Sequence, residues 1–376
     1  MNIDLLRRLC ETPGVPGREE RVRALIEKEV KGLFDEVYTD PMGSLICRRG
    51  ARSGGAGGKS VDAGRSSRRR AERNGRGGGG GSGPTKVMLA AHMDEIGFYV
   101  NHIDADGFIR VNPAGGFDTR NLFSRRVLVC TKEEGDLVGV MNPGGRPIHI
   151  ASEEDKKKVP EVKEFMIDLG LPAARVKKVV RVGDMVVLHE PFVEVGEKLV
   201  SKALDNRVAC WLGIESVREL DRSGAKHACE VYVAFTVQEE VGLRGARTAA
   251  SAVRPDIGIG LDVTLSCDTP GVPKEEAVTV QGQGCGLHVM DSSLISDFKL
   301  IDELEEVARK NRIKYQRTIL ARGGQDGGAL QQAMAGCRAA GVVVGTRYIH
   351  TVTEMIDRRD LQAARDLLAK WLAGVG

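Results

Sequence analysis

The sequence predicts an α/β protein in which a mixed central sheet carries helices on both faces and is interrupted by a small β-rich domain. Two observations support this prediction. Continuous apolar runs of strand length alternate with segments of helical periodicity, the pattern of a sheet that is buried on both faces. Between residues 99 and 197 the pattern changes to short runs separated by glycine turns, which is typical of a β-rich unit. The length, 376 residues, suits one large domain with an insertion.

The first part of the α/β domain is predicted to span residues 1–98. Apolar residues recur with helical spacing in 18–34, which predicts an amphipathic helix. Two strand-like runs follow, GSLICRR at 43–49 and KVMLAAH at 86–92. They flank a long segment of different composition, and the simplest interpretation is a hairpin whose tip carries an insertion.

That segment, residues 51–85, is predicted to be disordered. It contains 12 glycines, and Val61 is its only large aliphatic residue, so it cannot bury enough apolar surface to offset the entropy of ordering. It carries eight basic and two acidic side chains, so it accounts for more than the whole formal net charge of +3. A solvated loop is the simpler interpretation, and the alternative is contact with nucleic acid or an anionic surface through the arginines at 68–70 and Arg73.

The β-rich unit is predicted to span 99–197, and the α/β domain to resume over 198–376. This second part shows three helical patterns and three apolar strand-like runs. The predicted helices are 206–220, 297–311 and 359–373, and the predicted strands are 231–237, 257–263 and 341–349.

Composition indicates a cytoplasmic location. No apolar run reaches about 18 residues, so no membrane span is expected, and the N-terminus lacks the apolar core of a signal peptide. The eight cysteines are scattered without a C-x-x-C pair, which favours reduced thiols over disulfides or a thiolate metal site.

Residues of the metal-ligand type stand where several of these strands end, the edge at which α/β folds carry their chemistry. His92 and Asp94 follow the strand KVMLAAH, and residues two apart in an extended segment point the same way. A carboxylate beside a histidine can hold the ring for metal binding. The alternative is an ordinary strand-end histidine followed by a turn aspartate.

Asp205 lies just before a predicted helix. Aspartate is a good N-cap, so capping alone would explain it. A ligand role is compatible with capping, because one carboxylate oxygen can bond the helix while the other binds a metal.

Glu239 and Glu240 end the apolar run 231–237. Burying two adjacent carboxylates is costly unless each meets a cation or a proton. Neighbours in an extended segment diverge, which predicts two different roles, one in binding a metal and one facing the reacting group. A solvated turn is the alternative.

Asp262 and His350 complete the pattern, each at the end of an apolar strand. A satisfied core histidine is the alternative for His350. Taken together, two imidazoles and three carboxylates form a ligand set for two divalent ions, zinc or alternatively cobalt or manganese. The set comprises His92, Asp205, Glu240, Asp262 and His350. Glu239 is then left to act as the general acid and base.

In order and spacing, six segments resemble the motifs of the tetrahedral (TET) aminopeptidases: AHMDEIG, ALDNR, QEEVGLRGA, GLDVT, GGQDGGAL and RYIHTVTEM. This family comprises dinuclear-metal glutamyl, leucyl and lysyl aminopeptidases, and some members have been described as endoglucanases. The resemblance extends over almost the whole chain except 51–85, and CETPGVPGREE near the N-terminus is similar as well.

The resemblance implies a dinuclear zinc-peptidase-like fold in which 99–197 is a PDZ-like dimerisation domain. It implies that His92 and Glu240 bind one metal, that His350 and Asp262 bind the other, and that Asp205 bridges the two.

For the chemistry, the resemblance implies that Asp94 orients His92 and that Glu239 is the general acid and base. The expected reaction is removal of N-terminal residues from peptides with a free N-terminus, by attack of a water held between two metal ions. The expected self-association is through dimers to a dodecamer. Neither a membrane nor a nucleic acid is expected as a partner.

The chain departs from the family pattern at a few positions. Gln325 stands where threonine is usual, Gly327 where alanine is usual, and Thr351–Val352 where Ser-Pro is common. None of these changes removes a proposed ligand, but they affect the loops that shape a substrate pocket. The family gives no role for the insertion 51–85.

Three other functions compete with this interpretation. A deacylase or another amidohydrolase of the same fold would use the same metals. A glycosidase would need two carboxyls facing each other across a sugar, about 5–9.5 Å apart, and it would leave both histidines unexplained. A scaffold that binds RNA through the arginine-rich segment would leave all the ligand positions without a purpose.

Overall fold

The computed structural model describes residues 1–52 and 83–375. Most of the segment 51–85, for which the sequence predicts disorder, lies outside those residues. The α-helices of the described part are α1 (Ile3–Glu11), α2 (Glu20–Glu29), α3 (Glu153–Lys157), α4 (Ala173–Val179), α5 (Leu204–Arg222), α6 (Arg244–Val253), α7 (Phe298–Lys310), α8 (Asp326–Gln332) and α9 (Arg358–Gly374). None of them is both long enough and apolar enough to cross a membrane.

The strands of the described residues fall into a large mixed sheet and a closed barrel. The sheet strands are β1 (Glu36–Thr39), β2 (Leu45–Arg49), β3 (Lys86–His92), β10 (Val193–Val195), β11 (Lys198–Ser201), β12 (Glu230–Thr236), β13 (Ile257–Leu265), β14 (Cys285–Met290), β15 (Tyr315–Ile319), β16 (Arg338–Arg347) and β17 (Glu354–Asp357). The barrel strands are β4 (Gly97–Ile103), β5 (Ile109–Ala114), β6 (Arg125–Thr131), β7 (Gly135–Pro143), β8 (Phe165–Asp168) and β9 (Met185–Leu188).

Four parallel strands, in the order β12-β3-β13-β16, form the centre of the sheet. Their sequences are nearly continuous apolar runs, and β13 is buried from Ile257 to Thr264, as expected for strands covered on both faces. Because these strands run in the same direction, their carboxyl ends meet at one edge of the sheet. That edge carries the predicted site residues.

The strands on either side of the insertion do not form the expected hairpin. β2 and β3 both pair with β12, which lies between them, antiparallel to β2 and parallel to β3. β2 and β3 are therefore not neighbours in the sheet. Sequence proximity suggested a hairpin, whereas β12, which begins about 140 residues after β3, lies between the two strands.

Helices cover both faces of the sheet. On one face α5 packs against β3 and β13, with α1 and α9 beside it and α7 beside α9. Here the largest apolar cluster forms, centred on the fully buried Trp211 and Leu212. On the other face α6 and α8 pack together over β12 and β13. The predicted fold class is confirmed: a mixed sheet with helices on both faces, interrupted by a β-rich unit.

That unit is a six-stranded antiparallel barrel with the order β4-β5-β8-β7-β6-β9. It has its own apolar core, which includes the fully buried Phe98 and Phe165. β10, which falls inside the predicted segment 99–197, pairs with β11 in the main sheet. Arg21 of α2 links the α/β domain to the barrel, because it donates two hydrogen bonds to Asp136 of β7 at 2.8 Å.

Candidate active site

The predicted site residues converge at the carboxyl edge of the four parallel strands. Apart from the fully buried Asp94, they line a cavity of about 600 Å³ whose remaining wall is largely apolar, with Arg322 as its one basic side chain other than the histidines among the described lining residues. The lining consists of His92, Asp205, Glu239, Glu240, Gly242, Leu243, Asp262, Val263, Thr264, Leu265, Ser292, Leu320, Arg322, Gly323, Gly324, Ile349 and His350.

His92 is the last residue of β3 and is almost completely buried. Its Nδ1 lies 3.1 Å from the main-chain carbonyl oxygen of Asp94. When Nδ1–H donates to that carbonyl, the lone pair of Nε2 faces the cavity. Nε2 lies 3.4 Å from Asp205 Oδ1 and 3.7 Å from Glu239 Oε2, so it is placed to act as a ligand.

Asp94 has a broader role than orienting His92. Its Oδ1 is 3.5 Å from His92 Nδ1, but its two oxygens also accept the main-chain N–H groups of Glu239 and Glu240, at 3.1 Å each. This fully buried carboxylate therefore fixes the turn that carries both glutamates. The contact with the His92 ring itself is made mainly by the Asp94 carbonyl.

Asp205 does not cap α5. The residue has a non-helical conformation, and Asn206, joined to it by a cis peptide bond, accepts the N–H of Ala209 through its side chain at 3.1 Å. Asn206 thus satisfies an early main-chain donor of the helix. This leaves the Asp205 carboxylate to face the two histidines, 3.4 Å from His92 Nε2 and 3.4 Å from His350 Nε2.

Asp262 projects from within β13. Its Oδ1 accepts the side-chain amide of Asn206 at 2.8 Å and the N–H of Val263 at 2.7 Å. One oxygen is thereby fixed and the other is left toward the cavity. Asn206 therefore links α5 to β13, and it fixes the position of the Asp205 carboxylate relative to that of Asp262.

Glu239 and Glu240 diverge, as their adjacency predicts. Two groups of three residues place their ligand atoms within 4.8 Å of one another: His92 with Glu239 and Asp262, and His92 with Asp205 and Glu240. Glu240 Oε2 also lies 3.5 Å from His350 Nε2. Among the described residues, no such group joins His350 to Asp262.

The carboxylates repel one another. Burial, with a further contribution from the charge of Asp262, raises the pKa of Glu239 well above its ordinary value. Burial and the charge of Asp205 raise the pKa of Glu240. Burial opposes ionisation of Asp205 too, but hydrogen bonds from His350 and His92 lower its pKa.

The same carboxylates stabilise the protonated form of the two histidines and so raise the pKa of each. Burial disfavours the imidazolium of His350, but the carboxylates of Asp205 and Glu240 outweigh it and raise its pKa to about 11. The pKa of His92 is likewise raised well above its ordinary value, against the effect of burial. This concentration of negative charge needs cations in its centre, either protons or metal ions.

Left-handed main-chain conformations cluster around the site. Ala203, Gln238, Leu243, Tyr348 and His350 have φ values between 56° and 64°. Such conformations are costly for non-glycine residues, and at functional sites the surrounding structure imposes them. Each of these residues lies within three positions of a predicted site residue.

Two buried acids at the site were not predicted. Glu354 accepts the N–H of His350 at 2.8 Å and that of Asp205 at 2.9 Å. Asp326, whose pKa burial raises to about 6, bonds Thr236 at the end of β12. Both lie in segments that resemble family motifs, GGQDGGAL and RYIHTVTEM, which was the available signal.

Comparison with known proteins identifies the family. The sequence model of the M42 glutamyl aminopeptidase family matches residues 76–367. The chain belongs to this M42 family. It is 31% identical to the lysyl aminopeptidase of Pyrococcus furiosus, an alignment that covers 95% of this chain and 93% of that protein.

Solved structures of M42-like proteins agree with this assignment. Aminopeptidase APDkam598 from Desulfurococcus kamchatkensis is 33% identical with a TM-score of 0.86, covering 99% of this chain and 94% of that one. The TET1 peptidase of Pyrococcus horikoshii, which can assemble into a tetrahedron or a large octahedral shell, is 27% identical with a TM-score of 0.80, covering 99% of each chain. The resemblance to TET aminopeptidases is confirmed.

Membership of the M42 family makes this protein a metallo-aminopeptidase, a hydrolase of peptide bonds. The His, Asp and Glu groups at the strand ends suit metal dependence, since imidazole nitrogen and carboxylate oxygen are ligands for zinc, cobalt and manganese.

Proposed function

We propose that the protein is a dinuclear metal-dependent aminopeptidase that removes N-terminal residues from peptides with a free α-amine. One observation carries this proposal. Two imidazoles, one at the end of β3 and one in the loop between β16 and β17, converge on one carboxylate, with His92 Nε2 and His350 Nε2 each 3.4 Å from an oxygen of Asp205. A carboxylate that faces two ligand histidines with its two oxygens is placed to bridge two ions.

We propose a division of the ligands that differs from the one implied by resemblance. His350 and Glu240 would hold one ion, His92 and Asp262 would hold the other, and Asp205 would contribute to both. The 3.5 Å contact between His350 and Glu240 and the grouping of His92 with Asp262 support this pairing. The resemblance implies instead that His92 pairs with Glu240 and that His350 pairs with Asp262. Of these two pairs, only His92 and Glu240 belong to one group of neighbouring ligand atoms among the described residues.

The residues fit two divalent ions. The donors are imidazole nitrogens and carboxylate oxygens, and Glu240 Oε1 is buried without a hydrogen-bond partner among the described residues. Such an atom is expected of a ligand. When bound, divalent ions at this site would polarise the scissile carbonyl and lower the pKa of the attacking water.

Glu239 is proposed to move the proton. Its side chain is 10% exposed, and it is fixed through its own main-chain N–H by Asp94. The raised pKa of Glu239 lets its carboxylate accept a proton from the attacking water and return it to the leaving amine nitrogen. The surrounding carboxylates also favour a substrate that brings a free amine over one whose amine is acylated.

A panel of substrates tests the reaction. Aminoacyl-4-nitroanilides, each assayed after chelation and readdition of zinc, cobalt or manganese, should be cleaved only with metal, and the panel would rank the N-terminal residues. Matched N-acetylated substrates should resist cleavage. Rapid release of acetate from the acetylated substrates would favour the deacylase alternative. Rapid release of 4-nitroaniline from them would contradict the requirement for a free amine, and turnover of glycosides alone would favour a glycosidase.

We also propose that residues 99–197 mediate pairing of subunits and that the pairs build a dodecamer. Support comes from exposed apolar side chains on the outer face of β7 and in the loop after it, where Val138, Val140, Ile148 and Ile150 are 49–67% exposed. Light scattering at micromolar concentration should give a mass well above one chain of 40.6 kDa. A monomeric mass would contradict this proposal. The cytoplasmic location expected from the sequence stays a prediction.

A further inference from the structure

The loop that carries His350 is anchored in the barrel. Val352, two residues after His350, is only 4% exposed and belongs to the apolar cluster of the barrel. The other buried members of that cluster all lie between Phe98 and Leu188. Val352 is therefore the one buried residue from the sheet domain, within the described part of the chain, that contributes to the core of the barrel.

A barrel loop also lies against the His350 ring. A methyl group added at Gly116 would be 3.8 Å from His350 Nδ1, which is ordinary van der Waals contact. The next residue, Phe117, stacks on Phe98 in the barrel core with ring centroids 4.4 Å apart. The loop beside the His350 ring is thus anchored in the same apolar core of the barrel that contains Val352.

The opposite side of the loop is held by the main sheet. Glu354, the first residue of β17, accepts the main-chain N–H groups of His350 and Asp205. His350, which precedes both Val352 and Glu354 in the chain, has a φ of +64°, a conformation that a non-glycine residue keeps only when its surroundings impose it. The packing of Val352 and the hydrogen bond to Glu354 supply that constraint.

We propose that Val352 is a positioning residue for the active site: by inserting into the barrel core it holds His350 in place, so the barrel forms part of the metal site. The inference rests on the proposed function, because it takes His350 as a ligand. It gives the inserted barrel a role inside each subunit in addition to any role between subunits.

Two matched substitutions in the same core test this proposal. Val352→Ala and Val111→Ala remove the same two methyl groups from one cluster, and Val111, 2% exposed on β5, lies outside the His350 loop. Both variants should melt at a lower temperature. In Val352→Ala alone, one of the two ions should bind about 10–100-fold more weakly, the loss typical of a displaced ligand support. Val352→Ile, which keeps a branched apolar side chain in the barrel core and adds one methylene, should keep most of the affinity that Val352→Ala loses.

A second pair of variants leaves the apolar core of the barrel unchanged, so it tests the proposal even if Val352→Ala does not fold. Gly116→Val adds bulk beside His350 from an exposed loop, whereas Gly144→Val adds the same bulk at a barrel position with no neighbour closer than 3.5 Å to the added Cβ. The visible absorption of the cobalt-loaded protein reports on ligand geometry. Gly116→Val should change that spectrum and Gly144→Val should not.

The outcomes separate the inference from the function on which it rests. Elemental analysis that finds no divalent ion in the unaltered chain would overturn both. Two ions bound with unaltered affinity in Val352→Ala, together with an unaltered cobalt spectrum in Gly116→Val, would overturn the positioning role alone. Equal loss of ions from Val352→Ala and Val111→Ala would also overturn it, since any loss of core packing would then suffice.

Discussion

Glu239 and Glu240 are neighbours in the sequence, yet their carboxylates approach different histidines, His92 and His350. Asp94 makes this divergence rigid, because it accepts both main-chain N–H groups. The two glutamates should therefore fail in different ways when they are changed.

Glu239→Gln should keep both metal ions and lose the proton transfer. The amide has the shape of the acid but no useful basicity, so kcat should fall by about 10²–10⁴-fold with little change in KM. Glu240→Gln removes a charged ligand and should lower the affinity for one ion, with partial recovery of activity in excess metal. Steady-state kinetics and elemental analysis of both variants provide the measurement. Equal metal loss from the two would contradict the division of roles.

Metal binding should become tighter as the pH rises. In the metal-free protein the pKa of His350 is raised to about 11, so its imidazole is protonated at neutral pH. That raised pKa stabilises the metal-free fold fully below the ordinary histidine pKa, and the contribution is lost as the pH rises toward 11. An ion must displace the proton, so affinity should increase about tenfold per pH unit for each proton released.

Chelator competition at pH 6, 7 and 8, corrected for the chelator's own protonation, measures this dependence. Calorimetry in two buffers of different ionisation enthalpy would count the protons independently. A pH-independent affinity would mean that neither histidine carries a proton before the ion binds.

At the scale of elements, β13 and β16 leave a slot for the side chain of Gln325. Gly260 and Gly341 face each other in the parallel register, and a Cβ at either would lie 2.0–2.5 Å from the Gln325 amide. The long side chain that replaces the usual threonine is thus accommodated by two paired glycines. Its neighbour Asp326 reaches the end of β12 from there.

Gly341→Ala should therefore destabilise the protein by about 1–3 kcal/mol, the typical cost of overpacking a filled core. The added methyl group would lie 2.8 Å from His288 Cβ as well, so rotation of the Gln325 side chain alone would not relieve it. Gly144→Ala, where the added methyl group makes only ordinary contacts, serves as the control. Thermal unfolding compares the two, and equal melting temperatures would show that the slot has room to spare.

For the whole molecule, the insertion between β2 and β3 should be dispensable for folding and peptidase activity. The two strands flank β12 and are about 10 Å apart at the same end of the sheet. After deletion of residues 53–82, the linker formed by 50–52 and 83–85 can span up to about 20 Å.

The deletion variant should have the melting temperature of the unaltered protein, and its kcat/KM should differ from that of the unaltered protein by less than about twofold. Limited proteolysis of the full chain should cut this segment first, as expected of a chain without apolar anchors. A large fall in melting temperature or in assembled mass on deletion would show that the segment packs against the folded part.

The sequence by itself determined the fold class and the chemical nature of the site. Apolar runs predicted the central strands, because burial on both faces leaves no polar positions. Four of the nine described α-helices were predicted, and most of their bounds lie within a few residues of the observed ones. The residue types at the strand ends identified the candidate ligands, since parallel strands bring their carboxyl ends to one edge whatever their order.

The tertiary structure alone decided which of these residues meet. Strand order placed β12 between β2 and β3 and His350 beside Glu240, and strand order depends on packing between segments far apart in the chain. The same holds for Glu354, which accepts the main-chain N–H groups of two proposed ligands, and for Val352, which in the sequence is an ordinary loop valine but packs in the barrel core. Local pattern carries no information about such contacts, because Glu354 and Asp205, and likewise Val352 and the barrel core, are far apart in the chain and meet only in the folded protein.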